Sequence, residues 1–169
     1  YYKINVNPAK KNNSYAMVQY KKGITRVILN EDYDNTTLLK YGIRNYKNAN
    51  TTGYPILAWN PKGTRLTVIY KQEGKIKLFE FDTEVRIKRY KLDLTDKFDQ
   101  IQDVSYSPYN SELLLVTAVK NGHTDIFTFS LDKEKVRQIT NDVYDDLDAS
   151  FVAFSNKNGI LFSSNRPSA

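Results

Sequence analysis

Apolar and polar residues alternate with a period of two along most of this chain, the spacing of a strand that buries one face, and nowhere does a capped 3.6-residue period outscore it. Leu66, Val68 and Tyr70, for example, fall on one face of such a strand, with Thr67 and Ile69 on the other. Strand-like runs also lie at 15–20, 26–29, 76–81, 113–119, 126–129 and 160–164. Gly, Pro and Asn recur between them, residues that break pairing and supply the φ values of tight turns. The pattern predicts an all-β chain of short antiparallel strands.

The strands recur in a fixed order. Ala58-Trp59-Asn60-Pro61-Lys62-Gly63 leads into the strand at 66–70, a turn at Glu73-Gly74 and the strand at 76–81. The same order returns 48 residues later, with Val104-Ser105-Tyr106-Ser107-Pro108-Tyr109-Asn110, the strand at 113–119, a turn at Asn121-Gly122 and the strand Ile126-Phe127-Thr128-Phe129. Gly74 maps onto Gly122, Leu78 onto Ile126, Phe79 onto Phe127 and Phe81 onto Phe129. An earlier copy runs from Val6-Asn7-Pro8 through a turn at Lys22-Gly23 to Arg26-Val27-Ile28-Leu29, and a later one from Phe154-Ser155-Asn156-Lys157-Asn158-Gly159 to Arg166. A fourth strand, at 86–94 in one copy and 135–140 in the next, makes each copy four strands in roughly 40–50 residues, the pattern of a β-propeller blade. The expected fold class is therefore an all-β β-propeller of four-stranded antiparallel blades, with approximate blades at 1–53, 54–101, 102–149 and a truncated 150–169. A two-sheet sandwich has similar strand density but requires no equivalent turn at a fixed offset.

Trp59-Asn60-Pro61-Lys62-Gly63 and Tyr106-Ser107-Pro108 resemble the W/F-S-P-D-G turn of the WD40-like repeats of TolB-like bacterial propellers. The stretch Ile139-Thr140-Asn141-Asp142, Tyr144-Asp145-Asp146-Leu147-Asp148-Ala149-Ser150-Phe151 and Leu161-Phe162-Ser163-Ser164-Asn165-Arg166 is similar to the same family's loop-and-strand consensus. The likeness covers most of 54–166 and is weaker over 1–53. Lys62, Tyr109 and Lys157 stand where the family's turn has aspartate, Asn110 stands where Gly is usual, and no Trp-Asp dipeptide occurs. Residues 30–53, with a polar stretch at 45–52, do not fit a standard blade and are expected as an insertion. The resemblance implies a bacterial envelope setting and rings of six or more blades. This chain is accordingly expected to be part of a larger propeller, and the unclosed run to be marginally stable alone or to self-associate.

Thirteen Tyr and eight Phe against one Met strengthen the all-β reading, since aromatic residues fit the half-buried surface of a sheet. The absence of cysteine excludes a disulfide framework, a thiolate nucleophile and cysteine metal ligands. Residues 1–100 carry 19 basic and 10 acidic side chains and residues 101–169 carry 6 and 9. The basic excess alternates with apolar residues, as in Lys75-Ile76-Lys77-Leu78 and Arg86-Ile87-Lys88-Arg89, which reads as solvent faces and protected strand edges rather than a nucleic-acid surface. The longest aliphatic run, 113–116, is far below the roughly 18–20 residues of a membrane span, so no membrane insertion is expected.

Catalytic chemistry finds little support. The single histidine, His123, occupies the repeat position of Lys75, and no G-x-S-x-G elbow, phosphate loop, dinucleotide fingerprint or zinc spacing occurs. Trp59 opens a strand among apolar neighbours and reads as core rather than as a sugar-stacking platform. The acidic loop with Asp142, Asp145, Asp146 and Asp148 has two readings: a cation site, though without the spacing of a calcium loop, or carboxylates that take turn amides and a basic side chain. No cofactor or metal is expected. The expected function is a non-catalytic interaction scaffold of the periplasm or cell envelope that engages another protein or peptide through loops 141–148 and 164–168, with Asp142, Asp145, Asp146, Asp148, Asn165 and Arg166 as the candidate contact residues. The alternatives are the substrate-gating propeller of a larger prolyl-oligopeptidase-like serine peptidase and a propeller that binds carbohydrate or another small ligand through its tyrosines.

Overall fold

The computed structural model describes residues 2–10, 14–42, 53–154 and 157–167. Among them it contains strands and turns and no helix, arranged as three four-stranded antiparallel sheets and one two-stranded sheet. Sheet A is β1 (Tyr2–Val6), β2 (Ser14–Lys21), β3 (Ile24–Glu31) and β4 (Asp34–Gly42); sheet B is β5 (Ile56–Trp59), β6 (Arg65–Gln72), β7 (Lys75–Asp82) and β8 (Ile87–Asp93). Sheet C is β9 (Gln100–Tyr106), β10 (Leu113–Lys120), β11 (His123–Ser130) and β12 (Lys135–Gln138), and sheet D is β13 (Asp146–Phe154) paired with β14 (Lys157–Ser164). In each sheet, strands consecutive in sequence are neighbours in space, so every connection within a sheet is a hairpin.

The turn residues explain why the chain reverses where it does. Lys22-Gly23, Glu73-Gly74 and Asn121-Gly122 all have positive φ at both positions, 51° and 75°, 53° and 78°, and 54° and 85°. That is the type I′ conformation, whose twist matches the strands it joins, and glycine at the second position adopts it without a Cβ penalty. The strands between follow the expected alternation: β2 buries Ser14, Ala16 and Val18 and half-exposes the residues between them. β6 and β10 are instead buried over several consecutive positions, the mark of strands covered on both faces.

One expectation fails in sheet A. Residues 30–53 do not form an insertion throughout, because 34–42 make β4, paired with β3 from Ile24↔Gly42 to Glu31↔Asp34. Its Asp-Asn-Thr-Thr start carries no apolar side chain and is mostly exposed, so hydrogen bonding to β3 rather than apolar patterning places it. The polar stretch 45–52 lies outside the described residues.

The chain divides into two compact units, 1–92 and 93–169. In the first, sheets A and B pack face to face through Ala16, Val18, Val27 and Leu29 on one side and Leu57, Trp59, Leu66, Val68, Phe79 and Phe81 on the other. Trp59 is in this core, with its indole Nε1 donating to the Asn5 carbonyl at 3.1 Å. A buried asparagine ties the same two sheets together: Asn7 Nδ2 donates to the Gly63 carbonyl at 2.8 Å while its Oδ1 accepts from the amides of Ala9 and Lys10. In the second unit sheet D packs on sheet C through Leu115, Ile126 and Ala149, flanked by the half-buried Phe151, Ile160 and Phe162.

Candidate functional site

The residues singled out from sequence all fall in the second unit, at the end of sheets C and D where β12 leads into β13. A hydrogen-bond network fixes the approach to them. Thr140 Oγ1 accepts from the Ile126 amide at 3.0 Å and donates to Asp125 Oδ1 at 3.1 Å, Gln138 Nε2 donates to Asp125 Oδ2 at 3.0 Å, and the Ile139 amide donates to the Ile126 carbonyl at 2.8 Å. Asp125 is buried, so these two donors supply the partners that a buried carboxylate requires. The segment after β12 is thereby pinned to β11 before it reaches Asp142.

Asp142 then closes a local turn, its Oδ1 accepting from the Tyr144 amide at 2.9 Å. Its Oδ2 accepts from Arg166 Nε at 3.1 Å and also from Nη2. The Tyr144 amide, and after it Arg166, hold the Asp142 carboxyl below the usual carboxylate range, and Asp142 in turn raises the Arg166 guanidinium. Arg166 Nη2 reaches Asp146 Oδ2 at 3.0 Å as well, so one guanidinium bridges two carboxylates. The same guanidinium lies 6.0 Å from the Tyr144 ring centroid and 5.8 Å from that of Phe162, a cation–π placement that helps orient it.

Asp145 and Asn165 lock the two loops together. The Asp145 amide donates to Asn165 Oδ1 at 2.9 Å, the Asn165 amide returns a bond to the Asp145 carbonyl at 3.2 Å, and Asp145 Oδ1 accepts from the Thr124 amide of β11 at 3.0 Å. Five of the six candidates, Asp142, Asp145, Asp146, Asn165 and Arg166, thus form one connected clamp between the start of β13 and the end of β14. Asp148 stands apart in a β-bulge, with φ of 54° and its Oδ2 accepting from Ser163 Oγ at 3.2 Å.

The acidic stretch is not a loop throughout: Asp146 and Asp148 belong to β13, where Asp146 registers with Ser164 and Leu147 with Ser163. Asp146 is fully buried, and that is tolerable because Arg166 brings it a positive charge. The guanidinium occupies the space between Asp142 and Asp146, where a bridging cation would have to sit. Among the described residues no three His, Asp or Glu side chains converge as a ligand set.

His123 is exposed at the start of β11, registered with Lys120 across the hairpin. Sequence reasoning passed over two residues of this region. Val143 is 71% exposed, an apolar side chain raised between Asp142 and Tyr144, and Tyr144 supplies both the amide and the ring that organise the clamp. Neither has a periodic signal, since each acts through a loop.

No protein-family model matches the sequence and no curated protein matches it. Solved structures do. TolB from Acinetobacter baumannii superposes with a TM-score of 0.58 at 13% identity, over 88% of this chain and 37% of that one. A putative TolB from Agrobacterium tumefaciens does so with a TM-score of 0.56 at 19% identity, over 80% and 45%. A puromycin-hydrolyzing peptidase of Mycobacterium tuberculosis matches with a TM-score of 0.53 at 11% identity, over 83% of this chain and 21% of that one. The chain therefore spans less than half the length of each of these structures. At such identities the likeness is one of fold, and with the four hairpin-connected sheets it gives the architecture: the chain has the fold of β-propeller blades.

Proposed function

We propose that this chain is a non-catalytic interaction segment of a bacterial envelope propeller, and that the ridge formed by residues 139–146 with 165–167 is where a protein or peptide partner docks. The observation that carries the reading is the combination of rigidity and exposure at that ridge. Val143 and Ile139 are 71% and 37% exposed on a backbone that Thr140, Asp142, Asp145 and Asn165 tie down. A surface held in one shape before binding loses less conformational entropy when a partner arrives. The acidic balance of residues 101–169, 6 basic against 9 acidic side chains, favours a partner segment that is basic around an apolar anchor. The likeness to TolB structures supports the envelope setting.

The experiment is capture from a bacterial envelope extract with the wild-type chain and Val143→Asp side by side. The expected result is a partner recovered at near-stoichiometric amount by the wild type and lost with the variant, at unchanged circular dichroism. Equal recovery by both, or no recovery by either, would count against this ridge.

The likeness to peptidases supports a second reading, blades that gate access to a peptidase module outside this chain. Joining the chain to such a module and finding peptide-size selectivity that the module alone lacks would favour the gate over the scaffold.

A further inference from the structure

The joint between sheets A and B changes character along its length. Its apolar layer includes Val18, Val27 and Val68, with Leu39 packed against it. Two residues nearer the Lys22-Gly23 and Glu73-Gly74 turns, the strand period of two brings Tyr20, Thr25, Tyr70 and Tyr41 onto the same faces. Register sets them in rows: Tyr20 lies opposite Thr25 and Thr25 opposite Tyr41 in sheet A, and Tyr70 lies opposite Lys77 in sheet B. Two ring pairs cross the joint. Tyr41 meets Tyr70 at a centroid distance of 5.8 Å, and Tyr20 meets Tyr54, just ahead of β5, edge-on at 6.0 Å. Tyr54 is 44% exposed and Tyr20, Tyr41, Tyr70 and Lys77 are half-buried, so each keeps part of its surface in water.

Charge is sorted along the same axis. Residues 1–92 carry 18 basic and 7 acidic side chains. Five of the seven, Glu31, Asp32, Asp34, Asp82 and Glu84, lie at the far end, where β3 turns into β4 and β7 into β8. A sixth, Glu80, is buried beside Arg89, 3.6 Å away. The tyrosine end is left with Glu73 against Lys21, Lys22, Lys71, Lys75 and Lys77. On β8 burial and then Lys91 push the Lys88 ammonium down, so like charges crowd there as well.

We propose that this end of the A–B joint binds a carboxylated sugar chain, its tyrosines packing on the C–H faces of pyranose rings and its lysines meeting the carboxylates. Tyrosine combines an apolar ring face with a hydroxyl that both donates and accepts, which matches a sugar ring and the hydroxyls around it. The sign of the ligand follows from the ammonium groups. The five cations are all lysines, whereas arginine is the residue of choice for phosphate and nucleic acid, so the arrangement favours carboxylates over a phosphate backbone. An acidic peptide backbone would satisfy the lysines but bring no ring faces for the tyrosine rows to cover. The inference is independent of the docking ridge, since none of these residues belongs to it.

The test is an amide chemical-shift titration of the whole chain with hexagalacturonate, up to about 5 mM so that millimolar affinities are reached. Maltohexaose, hexathymidylate and hexaglutamate run beside it as a neutral sugar, a phosphate backbone and an acidic peptide. Hexagalacturonate is expected to give saturable shifts at Tyr20, Thr25, Tyr54 and Tyr70 that weaken as salt rises, with the other three at least about tenfold weaker. Tyr54→Ala is expected to lower the affinity about tenfold, and Lys75→Gln combined with Lys77→Gln by a similar factor. No saturable shift with hexagalacturonate, binding of any of the other three as tight as its own, or variants that bind like the wild type would overturn the proposal. Should Tyr54→Ala alter the circular dichroism or the Trp59 fluorescence, the lysine pair carries the comparison by itself.

Discussion

Sheets A and B meet through a thick layer of fully buried aliphatic and aromatic side chains, Val18, Val27 and Leu29 against Leu66, Val68 and Phe81, whereas sheets C and D meet through Leu115, Ile126 and Ala149 with half-buried neighbours. Polar groups cross both joints, with different parts to play. Asn5 and Asn7 position two sheets that the apolar layer already holds. At the second joint Asp145 on the Thr124 amide, the Asn165 pair and the Arg166 bridge are a larger share of what keeps β13 and β14 in place. A joint held by hydrophobic burial has no charge for pH to remove or for simple salt to screen, while one held by charge is sensitive to both. The comparison teaches that the candidate docking ridge was built on the joint whose order can be tuned.

Cavity formation is the hardest way to break the comparison. Leu66→Ala in the first joint is expected to cost about 3–4 kcal/mol and Ile160→Ala in the second about half of that, since the transfer and cavity terms scale with the burial lost. Trp59, the only tryptophan, lies in the first joint and reports its urea unfolding by fluorescence, and hydrogen exchange of β13 and β14 amides reports the second. Equal costs would mean that sheet D is as deeply anchored as sheet B.

Next in size is a pair of glycines. Gly63, with φ of +66°, has its absent Cβ position 2.0 Å from Asn7 Oδ1 and 2.9 Å from the Ala9 Cβ. Gly63→Ala must therefore displace Asn7 from its place between the sheets, and is expected to cost about 3 kcal/mol, a left-handed residue plus lost buried hydrogen bonds. Gly74 has φ of +78° but open space around it, so Gly74→Ala should cost only about 1 kcal/mol. The same Trp59 unfolding curve measures both, and a similar loss for each would show that Asn7 positions nothing.

Titration separates the two joints without mutation. In the first unit burial raises the Tyr41 hydroxyl, with Tyr70 adding to it at a ring distance of 5.8 Å, and burial raises Tyr70 as well. A tyrosine raised in the folded state is favoured by its protonated form, so this contribution is complete below about pH 10 and lost as pH rises further. In the second unit the Tyr144 amide and Arg166 depress Asp142, so that contribution is complete above about pH 4 and lost as pH falls through the folded-state value. Hydrogen exchange is expected to show β13 and β14 loosening first on the acid side and β3 and β4 first on the alkaline side. The acid-side difference should shrink in Arg166→Ala, and loosening of both units together at either extreme would sink the assignment.

What could be read from sequence were the features that repeat locally. Asn60, Ser107 and the Gly-centred turns each act within a few residues, as when Asn60 Oδ1 takes the Thr64 and Arg65 amides at 2.9 Å, and so they recur at a legible spacing. β4 escaped because its opening residues are polar and only Leu38 is fully buried, leaving an edge strand with almost no alternation. The candidate residues could be chosen by type, but Asp146 as a buried strand residue was hidden, because its tolerance depends on Arg166 twenty positions later. Period reports which face a residue takes; it carries no record of which loop meets which.

The smallest effect returns to β4 and to the turn that hid it. Asp32 and Tyr33 have φ of 49° and 71°, a type I′ hairpin between β3 and β4 without the glycine that the other three possess. Tyr33 is 85% exposed and so contributes little packing to set against the left-handed strain of a residue with a Cβ, about 1–2 kcal/mol. Tyr33→Gly removes that strain and adds freedom to the unfolded chain, which returns part of the gain. The net expectation is a stabilisation of about 0.5 kcal/mol, read as a higher urea midpoint at unchanged slope. A loss of stability would mean that the Tyr33 ring packs usefully despite its exposure, and that the first unit depends on its surface more than its thick core implies.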